Sequence, residues 1–280
     1  MSQLDRVGFI GLGSMGGSIA LRLLRASFPV TVFDIDGGQM KRHLAEGAVA
    51  ATSPAEVARR STVVLASLQA SVVEEVALGK DGLAAAGTRD FVFVDLSSTP
   101  PELAVKVSTE LRNRGIEMLD SPVSGADIGA INGNLTLFVG GSYEGYQRAL
   151  PVLQHVGRTV TYLGKNGNGQ LGKLVNQMMQ ALCELGIYEG LLLAEKAGLD
   201  PKMFARAVTG GCAQSWRLDE LVEQMLIQGE KKFRMRLQPG RTGRAIKLAK
   251  TLGVTLQGVE AADRVFSAQG WEVVLGGEED

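Results

Sequence analysis

The segment that most constrains the fold lies near the N-terminus, where a short apolar run passes through a glycine-rich turn into a helical pattern. The run Val7–Ile10 is followed by Gly11-Leu12-Gly13-Ser14-Met15-Gly16, a GxGxxG sequence. In this pattern the first glycine makes a tight turn, the second lets the backbone approach a diphosphate, and the third permits close packing of helix on strand. The next helix presents its N-terminal amides to the phosphates. The segment therefore predicts a dinucleotide-binding βαβ unit.

Strand and helix patterns alternate through the first half of the chain, which implies a parallel sheet with helices on both faces. The predicted strands are Val7–Ile10, Val30–Phe33, Val63–Ala66, Phe91–Asp95, Glu117–Leu119, Leu135–Val139 and Thr159–Leu163. The predicted helices between the first four strands are Gly17–Ala26, Gln39–Glu46 and Pro54–Arg59. We expect an α/β fold with an N-terminal Rossmann dinucleotide-binding domain over residues 1–165 and an all-helical domain over residues 166–280.

The second half begins with a long, largely apolar helical stretch from Gln170 to Ala197. A helix that is apolar nearly all round must be covered by another domain or subunit. We therefore expect a homodimer or homotetramer assembled through the helical domain. Further helices are predicted at Pro201–Val208, Ser215–Ile227 and Gly243–Leu252.

The charge balance and the cysteine usage exclude several classes of partner. Lys and Arg number 29 against 30 Asp and Glu, and there is no long basic run, so neither nucleic acid nor an anionic membrane is an expected partner. No apolar run approaches the roughly 20 residues that span a bilayer. Cys183 and Cys212 lack metal-ligand spacing and the two histidines are isolated, so we expect no metal site and a cytoplasmic location. Cys183 lies in an apolar helical run and is expected to be buried.

An acidic residue ends the second predicted strand. Asp34 stands where a carboxylate hydrogen-bonds the adenosine ribose of a bound dinucleotide. Its charge repels a 2′-phosphate and no arginine directly follows it, which favours NAD over NADP. Lys41 and Arg42 lie nearby in the sequence, so NADP remains possible.

Proline and closely spaced glycines mark a second segment, Asp120–Ala126, at the end of a predicted strand. Such residues expose backbone N–H groups that can cradle a carboxylate. The same composition is equally compatible with an ordinary structural loop.

A third segment, Gly167–Gln177, opens the long helix. Lys173, Asn176 and Gln177 share one helix face, and Gln180 and Glu184 extend this polar stripe. Burial of such side chains costs several kcal/mol unless they have partners. A polar ligand is therefore expected against the stripe, unless that edge of the helix faces solvent.

Together the three segments resemble the ordered motifs of the β-hydroxyacid dehydrogenases, a family that includes 3-hydroxyisobutyrate dehydrogenase and tartronate semialdehyde reductase. The matching stretches are Gly8–Leu24 (GFIGLGSMGGSIALRLL), Asp120–Gly133 (DSPVSGADIGAING) and Gly167–Gln177 (GNGQLGKLVNQ). Their order and spacing match over most of the chain. Three motifs together are far more specific than any one of them.

The resemblance implies hydride exchange between a nicotinamide cofactor and a small carboxylate-bearing β-hydroxy acid or its semialdehyde, in a cleft between the domains. It implies that Lys173 is the general acid/base and that Asn176 orients the substrate. The implied substrate contacts are Ser124, Gly125, Ala126, Asn176, Gln177 and Arg244. The expected cofactor contacts are Gly11, Leu12, Gly13, Ser14, Met15, Gly16, Asp34, Leu68 and Ser97.

Two positions depart from the family pattern. Ala126 replaces the second glycine of the substrate loop, and its methyl group is expected to narrow the pocket or to shift the loop. Arg244 takes the place of a lysine in the stretch Arg244–Ala249, and the acidic residue that follows it in the family is missing. Arginine is bulkier and a bidentate donor, so a different substrate choice is expected.

Two other functions stay open at this point. One is an imine reductase-like enzyme on the same scaffold, and the other is a non-catalytic NAD(P)-binding sensor or scaffold protein. Lys173 argues against the first because such enzymes usually lack this lysine, and the lysine–asparagine pair argues against the second.

Overall fold

Six short runs, five of which contain valine, form one parallel sheet. In the computed structural model, which describes residues 5–227, 233–236, 242–268 and 272–275, these strands are β1 (Val7–Ile10), β2 (Val30–Phe33), β3 (Val49–Ala50), β4 (Val63–Ala66), β5 (Val92–Asp95) and β6 (Glu117–Asp120). Their order is β3-β2-β1-β4-β5-β6, and all pairs are parallel. This is the order of a Rossmann sheet, which binds ligands at the carboxyl ends of its strands where the order reverses, here at β1 and β4.

Five helices connect these strands: α1 (Ser14–Arg25), α2 (Gly37–Ala45), α3 (Pro54–Arg60), α4 (Ala70–Leu78) and α5 (Pro101–Asn113). Local sequence starts two of them. The carboxylate of Asp36 accepts from the N–H of Gly38 at 2.8 Å and caps α2, whereas Ser53 caps α3, which has a proline at its first position. Phe9 and Ile10 of β1 pack in two different apolar clusters, as expected for a strand covered on both faces.

A smaller sheet follows β6. It contains β7 (Val123–Ser124), β8 (Leu135–Val139) and β9 (Gly157–Tyr162), with α6 (Ala126–Asn132) before β8 and α7 (Tyr143–Val156) before β9. Strand β8 pairs antiparallel with β7 and parallel with β9. Alternate residues of β8 are buried, so its sequence LTLFV presents one face to the core.

The described residues divide into two compact units between Lys173 and Leu174. The division falls within α8 (Asn168–Lys196), and the second unit also contains α9 (Pro201–Val208), α10 (Trp216–Ile227), α11 (Gly243–Thr251) and α12 (Gln257–Ser267). Its core includes Ala181, Tyr188, Leu191, Leu218 and Phe266. The predicted fold class, a Rossmann domain followed by a helical region, is confirmed. One antiparallel strand pair, β10 (Phe233–Arg236) with β11 (Glu272–Leu275), adds to the helices.

One face of α8 stays exposed in the single chain. Leu171, Val175, Met179 and Cys183 follow one another at intervals of four residues, and all four are exposed. The expectation that Cys183 is buried was therefore wrong, since the apolar stretch has an outer face as well as a core face. We call these four residues the outer stripe of α8.

The described residues contain no helix that is both long enough and apolar enough to cross a membrane. They also contain no group of three or more His, Cys, Asp or Glu side chains that could hold a metal ion.

Candidate active site

The glycine-rich turn between β1 and α1 is shaped by close backbone contacts. Gly11 has a φ of +86°, and a Cβ there would overlap the carbonyl oxygen of Ser67. A Cβ at Gly16 would overlap the carbonyl oxygen of Gly11, so α1 lies directly on the turn. At Gly13, by contrast, an added Cβ would meet nothing within 4 Å.

This open side lies at the start of α1. Gly13 caps the helix without a side-chain hydrogen bond, and the first turn of α1 contains no acidic residue. Exposed amides and the positive end of the helix dipole are what the diphosphate of a dinucleotide needs, so these residues fit NAD(P). The Ser14 hydroxyl donates to the carboxylate of Asp127 in α6, which links the turn to the segment after β7.

Asp34 lies beside the same turn, at the end of β2. One of its carboxylate oxygens accepts from the N–H of Leu12 at 2.7 Å, and the other accepts from the N–H of Asp36 at 2.9 Å. A carboxylate offers about four acceptor positions, so capacity for ribose hydroxyls remains. Lys41 and Arg42 are exposed on α2.

The loops that follow β4 and β5 are joined to each other. Ser97 is buried, and its hydroxyl oxygen accepts from the N–H of Leu68 at 2.9 Å. Leu68 also borders the glycine turn, because a Cβ at Gly11 would lie 2.7 Å from its Cδ2 atom. The cofactor residues expected around Gly11, Leu68 and Ser97 are thus neighbours at one edge of the sheet.

Two buried carboxyl groups end adjacent strands at this edge. Asp95 of β5 and Asp120 of β6 are partners in the strand register. Burial, and next the negative charge of Asp120, raise the pKa of Asp95 to about 7, although hydrogen bonds from Ser97 oppose the rise. Burial likewise raises the pKa of Asp120, against the N–H groups of Gly167 and Gln170 that bind its ionised form.

The first turn of α8 rests on Asp120. One carboxylate oxygen accepts from the N–H of Gly167 at 2.8 Å, and the other accepts from the N–H of Gln170 at 3.0 Å. A Cβ at Gly169 would overlap the carbonyl oxygens of Asp120 and Phe138, so only glycine permits this approach. Lys173 follows Gln170 by one helical turn and is half-buried.

The segment expected to bind a carboxylate contains two residues with left-handed backbone. Gly125 has a φ of +134°, and Ala126, at the start of α6, has a φ of +53°. Ala126 therefore keeps a conformation that suits glycine, and its methyl group is exposed. Ser124 is half-buried at the end of β7.

Comparison with known proteins identifies the family. One family model, the NAD binding domain of 6-phosphogluconate dehydrogenase, matches residues 6–164, and another, NAD-binding of NADP-dependent 3-hydroxyisobutyrate dehydrogenase, matches residues 167–280. A 2-hydroxy-3-oxopropionate reductase from Escherichia coli is 33% identical over 94% of this chain and 90% of its own length. A 3-hydroxyisobutyrate dehydrogenase from Pseudomonas aeruginosa is 37% identical over 76% of this chain and 72% of its own length. The chain belongs to the β-hydroxyacid dehydrogenase family.

Solved structures agree with this membership in the β-hydroxyacid dehydrogenases. The 3-hydroxyisobutyrate dehydrogenase of Mycobacterium tuberculosis, solved with L-serine, has a TM-score of 0.79 and 25% identity, over 95% of this chain and 93% of that one. An imine reductase from Myxococcus stipitatus has a TM-score of 0.65 and only 18% identity, so that likeness concerns the fold alone. The chain is thus an NAD(P)-dependent oxidoreductase of the dehydrogenase type.

The remaining residues expected at the site lie in the second unit. Asn176 and Gln177 are half-buried on α8, and Arg244 is exposed on the first turn of α11. Glu184, which extends the polar stripe, is buried and forms an ion pair with Arg217 of α10. That end of the stripe therefore has a protein partner.

Three polar residues of the first unit were missed by the sequence analysis, namely Asp95, Asp120 as a helix anchor, and Gln170. A signal for the two carboxyls existed, because Asp95 ends one predicted strand of a parallel sheet and Asp120 directly follows another, and such ends meet at one edge. Gln170 stands three residues before Lys173, but only the structure shows that its side chain points to the Ser97 loop.

Proposed function

We propose that the chain interconverts a small β-hydroxy acid and its aldehyde or ketone, with Lys173 as the proton donor and acceptor. One observation carries this proposal. The start of α8 is anchored at the carboxyl ends of β5 and β6, the sheet edge where Rossmann domains bind their cofactor, and the half-buried Lys173 follows one turn later.

In this proposal NAD(P) supplies or accepts the hydride. In the reducing direction, the Lys173 ammonium donates a proton to the substrate carbonyl oxygen. In the oxidising direction, the neutral amine removes the proton of the substrate hydroxyl. Asn176, one turn further along the helix, orients the substrate.

We assign the substrate carboxylate to the segment after β6. The Ser124 hydroxyl and the backbone N–H groups of Gly125 and Ala126 would bind it, and the exposed left-handed backbone at Ala126 supports this role. Gln177 and the exposed Arg244 complete the proposed contacts, with the arginine as a charge-assisted donor.

The cofactor is proposed to be NAD rather than NADP. Asp34 supports this choice because its carboxylate, fixed by Leu12 and Asp36, repels a 2′-phosphate and can accept from ribose hydroxyls. The proposed cofactor contacts are Gly11, Leu12, Gly13, Ser14, Met15, Gly16, Asp34, Leu68 and Ser97. We place the cofactor domain at residues 1–165 and the substrate and assembly domain at residues 166–280.

We further infer that the chain forms a homodimer or homotetramer through its helical domain. The outer stripe of α8 supports this, since apolar side chains such as Val175 and Met179 are 40% and 58% exposed in the single chain. The free thiols Cys183 and Cys212 fit a reducing cytoplasm. Sedimentation of the wild type against Met179→Glu tests the assembly, and a monomeric wild type would contradict it.

Turnover by Lys173→Met tests the proposed chemistry. Methionine matches the length of lysine and suits a helix, so the fold is expected to survive. Loss of a positioned general acid/base should lower kcat by about 10²–10⁴-fold. Lys196→Met, the same change at an exposed position at the end of the same helix, is the matched control and should leave kcat unchanged.

The assay follows absorbance of the reduced nicotinamide with 3-hydroxyisobutyrate, L-serine and glycerate as substrates, and NAD binding is measured in parallel. Retained NAD binding with lost turnover supports the role of Lys173. Near-wild-type turnover by Lys173→Met would end it.

A further inference from the structure

Three hydrogen bonds join Gln170 to buried residues of the first unit. Its side-chain carbonyl accepts from the N–H of Thr99 at 3.0 Å, and its side-chain amide donates to the carbonyl oxygen of Ser97 at 2.7 Å. Its own N–H donates to Asp120 at 3.0 Å. The residue is 2% exposed. Both polar ends of the side chain are therefore held by the loop after β5.

This arrangement connects the cofactor side of the site to the lysine helix. Ser97 accepts from Leu68 in the loop after β4, so a continuous hydrogen-bonded path runs from that loop through Ser97 to Gln170. Residues three apart lie on the same face of a helix, which brings Lys173 one turn beyond Gln170. The start of α8 therefore carries both the contacts with the Ser97 loop and, three residues later, Lys173.

The residues just before α8 have a second set of restraints from β6 and α5. Asn166 donates to the carbonyl oxygen of Met118 at 2.8 Å and accepts from Arg112 at 2.7 Å. Together with the Asp120 carboxylate, these bonds hold the start of α8 against the sheet without the Gln170 side chain. Loss of the Gln170 side-chain bonds should therefore disturb the alignment of α8 with the Ser97 loop, but the protein should still fold.

We propose that Gln170 is a positioning residue that sets the distance between the Ser97–Thr99 loop and Lys173. It acts through Lys173 and touches neither substrate nor cofactor, because both polar ends of its side chain are used by backbone groups. The proposal rests on the proposed role of Lys173. If the proton donor is misplaced, the reaction slows while the reactants still bind.

Gln170→Met tests this directly, since methionine keeps the length of the side chain and removes both side-chain bonds. We expect kcat to fall about 10- to 100-fold, with KM and the Kd for NAD changed less than about threefold. Gln154→Met, the same change at an exposed glutamine of α7, is the matched control and should behave as wild type. A folded Gln170→Met protein with wild-type kcat, or one whose main defect is in NAD binding, would overturn the proposal.

A double-variant cycle separates positioning from a general effect on the site. If Gln170 acts through Lys173, adding Gln170→Met to Lys173→Met should slow the residual reaction less than about twofold. An unchanged 10- to 100-fold effect in that background would show that Gln170 acts by another route.

Hydrogen exchange in the cofactor-free protein gives a readout that does not depend on turnover. Gln170→Met should accelerate exchange of the Thr99 amide, which loses its acceptor, relative to Gln154→Met. Unchanged exchange would mean that the bond does not hold the loop in solution, and the proposal would fall. If the wild type oxidises or reduces no substrate, the proposed function fails, whereas this measurement still decides whether the connection exists.

Gln170→Glu is the second variant, in case the methionine protein does not fold. When protonated, a glutamic acid reproduces both bonds, with its hydroxyl donating to Ser97 and its carbonyl accepting from Thr99; when ionised, it loses the donor. Its kcat, divided by that of the wild type at each pH, should therefore rise as the pH is lowered. Asp95 and Asp120 titrate in both proteins, and division by the wild-type kcat removes the part of their effect that does not depend on residue 170. A ratio that does not change with pH would contradict the positioning role.

Discussion

Asp95→Asn is expected to stabilise the protein most at neutral and alkaline pH. Asp95 is fully buried, and within the described part of the chain its Oδ2 atom has no hydrogen-bond partner, while Oδ1 accepts from the N–H of Ser97 at 3.0 Å. The ionised form is therefore poorly solvated and lies beside Asp120. Asparagine keeps the shape and the acceptor without the charge.

The magnitude follows from the pKa of Asp95, which burial raises from 3.8 to about 7. Because the folded state holds the proton more tightly, the unfolded state binds fewer protons between these values, and stability falls as the pH rises through that window. About three pKa units at 1.36 kcal/mol each give a loss of about 4 kcal/mol, complete near pH 7. Below the unfolded pKa both states are protonated and the penalty is absent.

Urea unfolding followed by far-UV circular dichroism from pH 4 to 8 measures this effect. The difference in free energy of unfolding between Asp95→Asn and wild type should rise by about 1.4 kcal/mol per pH unit and level off above pH 7. Asp90→Asn, at an exposed aspartate just before β5, is the control and should show a flat difference. A flat difference for Asp95→Asn as well would mean that Asp95 is ionised in the folded protein at low pH.

Three further substitutions test the proposed cofactor and substrate contacts. Asp34→Ala should reduce the preference for NAD over NADP about tenfold, because a ribose hydrogen bond and the repulsion of the 2′-phosphate are lost. Titration with both cofactors measures the preference, and a wild-type preference for NADP would contradict the assignment. Arg244→Ala should raise KM for an acidic substrate about tenfold in steady-state assays, and unchanged kinetics would identify a solvated arginine. Ala126→Gly should raise the free energy of unfolding by about 0.5–1 kcal/mol in urea by relieving the left-handed backbone, whereas a lower stability would refute the strain.

The parallel sheet was predictable because short apolar runs in the sequence indicate its strands. Val7–Ile10, Val30–Phe33 and Val63–Ala66 form the strands that their apolar runs predicted. Helices α5 and α7 were not predicted, although Pro101 and Ser142 mark their starts. One of them, α7, contains Pro151, which argues against a helix in isolation.

In the candidate site, too, the features within one continuous segment were predictable, and the contacts between distant residues were not. The glycine turn and the lysine helix are each continuous in sequence, so their patterns are visible without a structure. The contact of Gln170 with Ser97 joins positions 73 residues apart. Periodicity along a helix shows which residues share a face with Lys173, but it does not show what that face touches.

The two carboxyls at the ends of β5 and β6 differ in the number of donors that surround them, and this decides which one holds the proton. Asp120 receives N–H groups on both of its oxygens, whereas Asp95 is hydrogen-bonded by Ser97 and leaves Oδ2 unpaired within the described residues. Hydrogen bonds stabilise the ionised form of a carboxyl group, so Asp120 ionises more readily and Asp95 keeps its proton. A neutral Asp95 then permits a charged Asp120 to hold the first turn of α8. Ionisation of Asp95 above about pH 7 places a second negative charge next to that anchor, so the stability of the sheet edge depends on one proton.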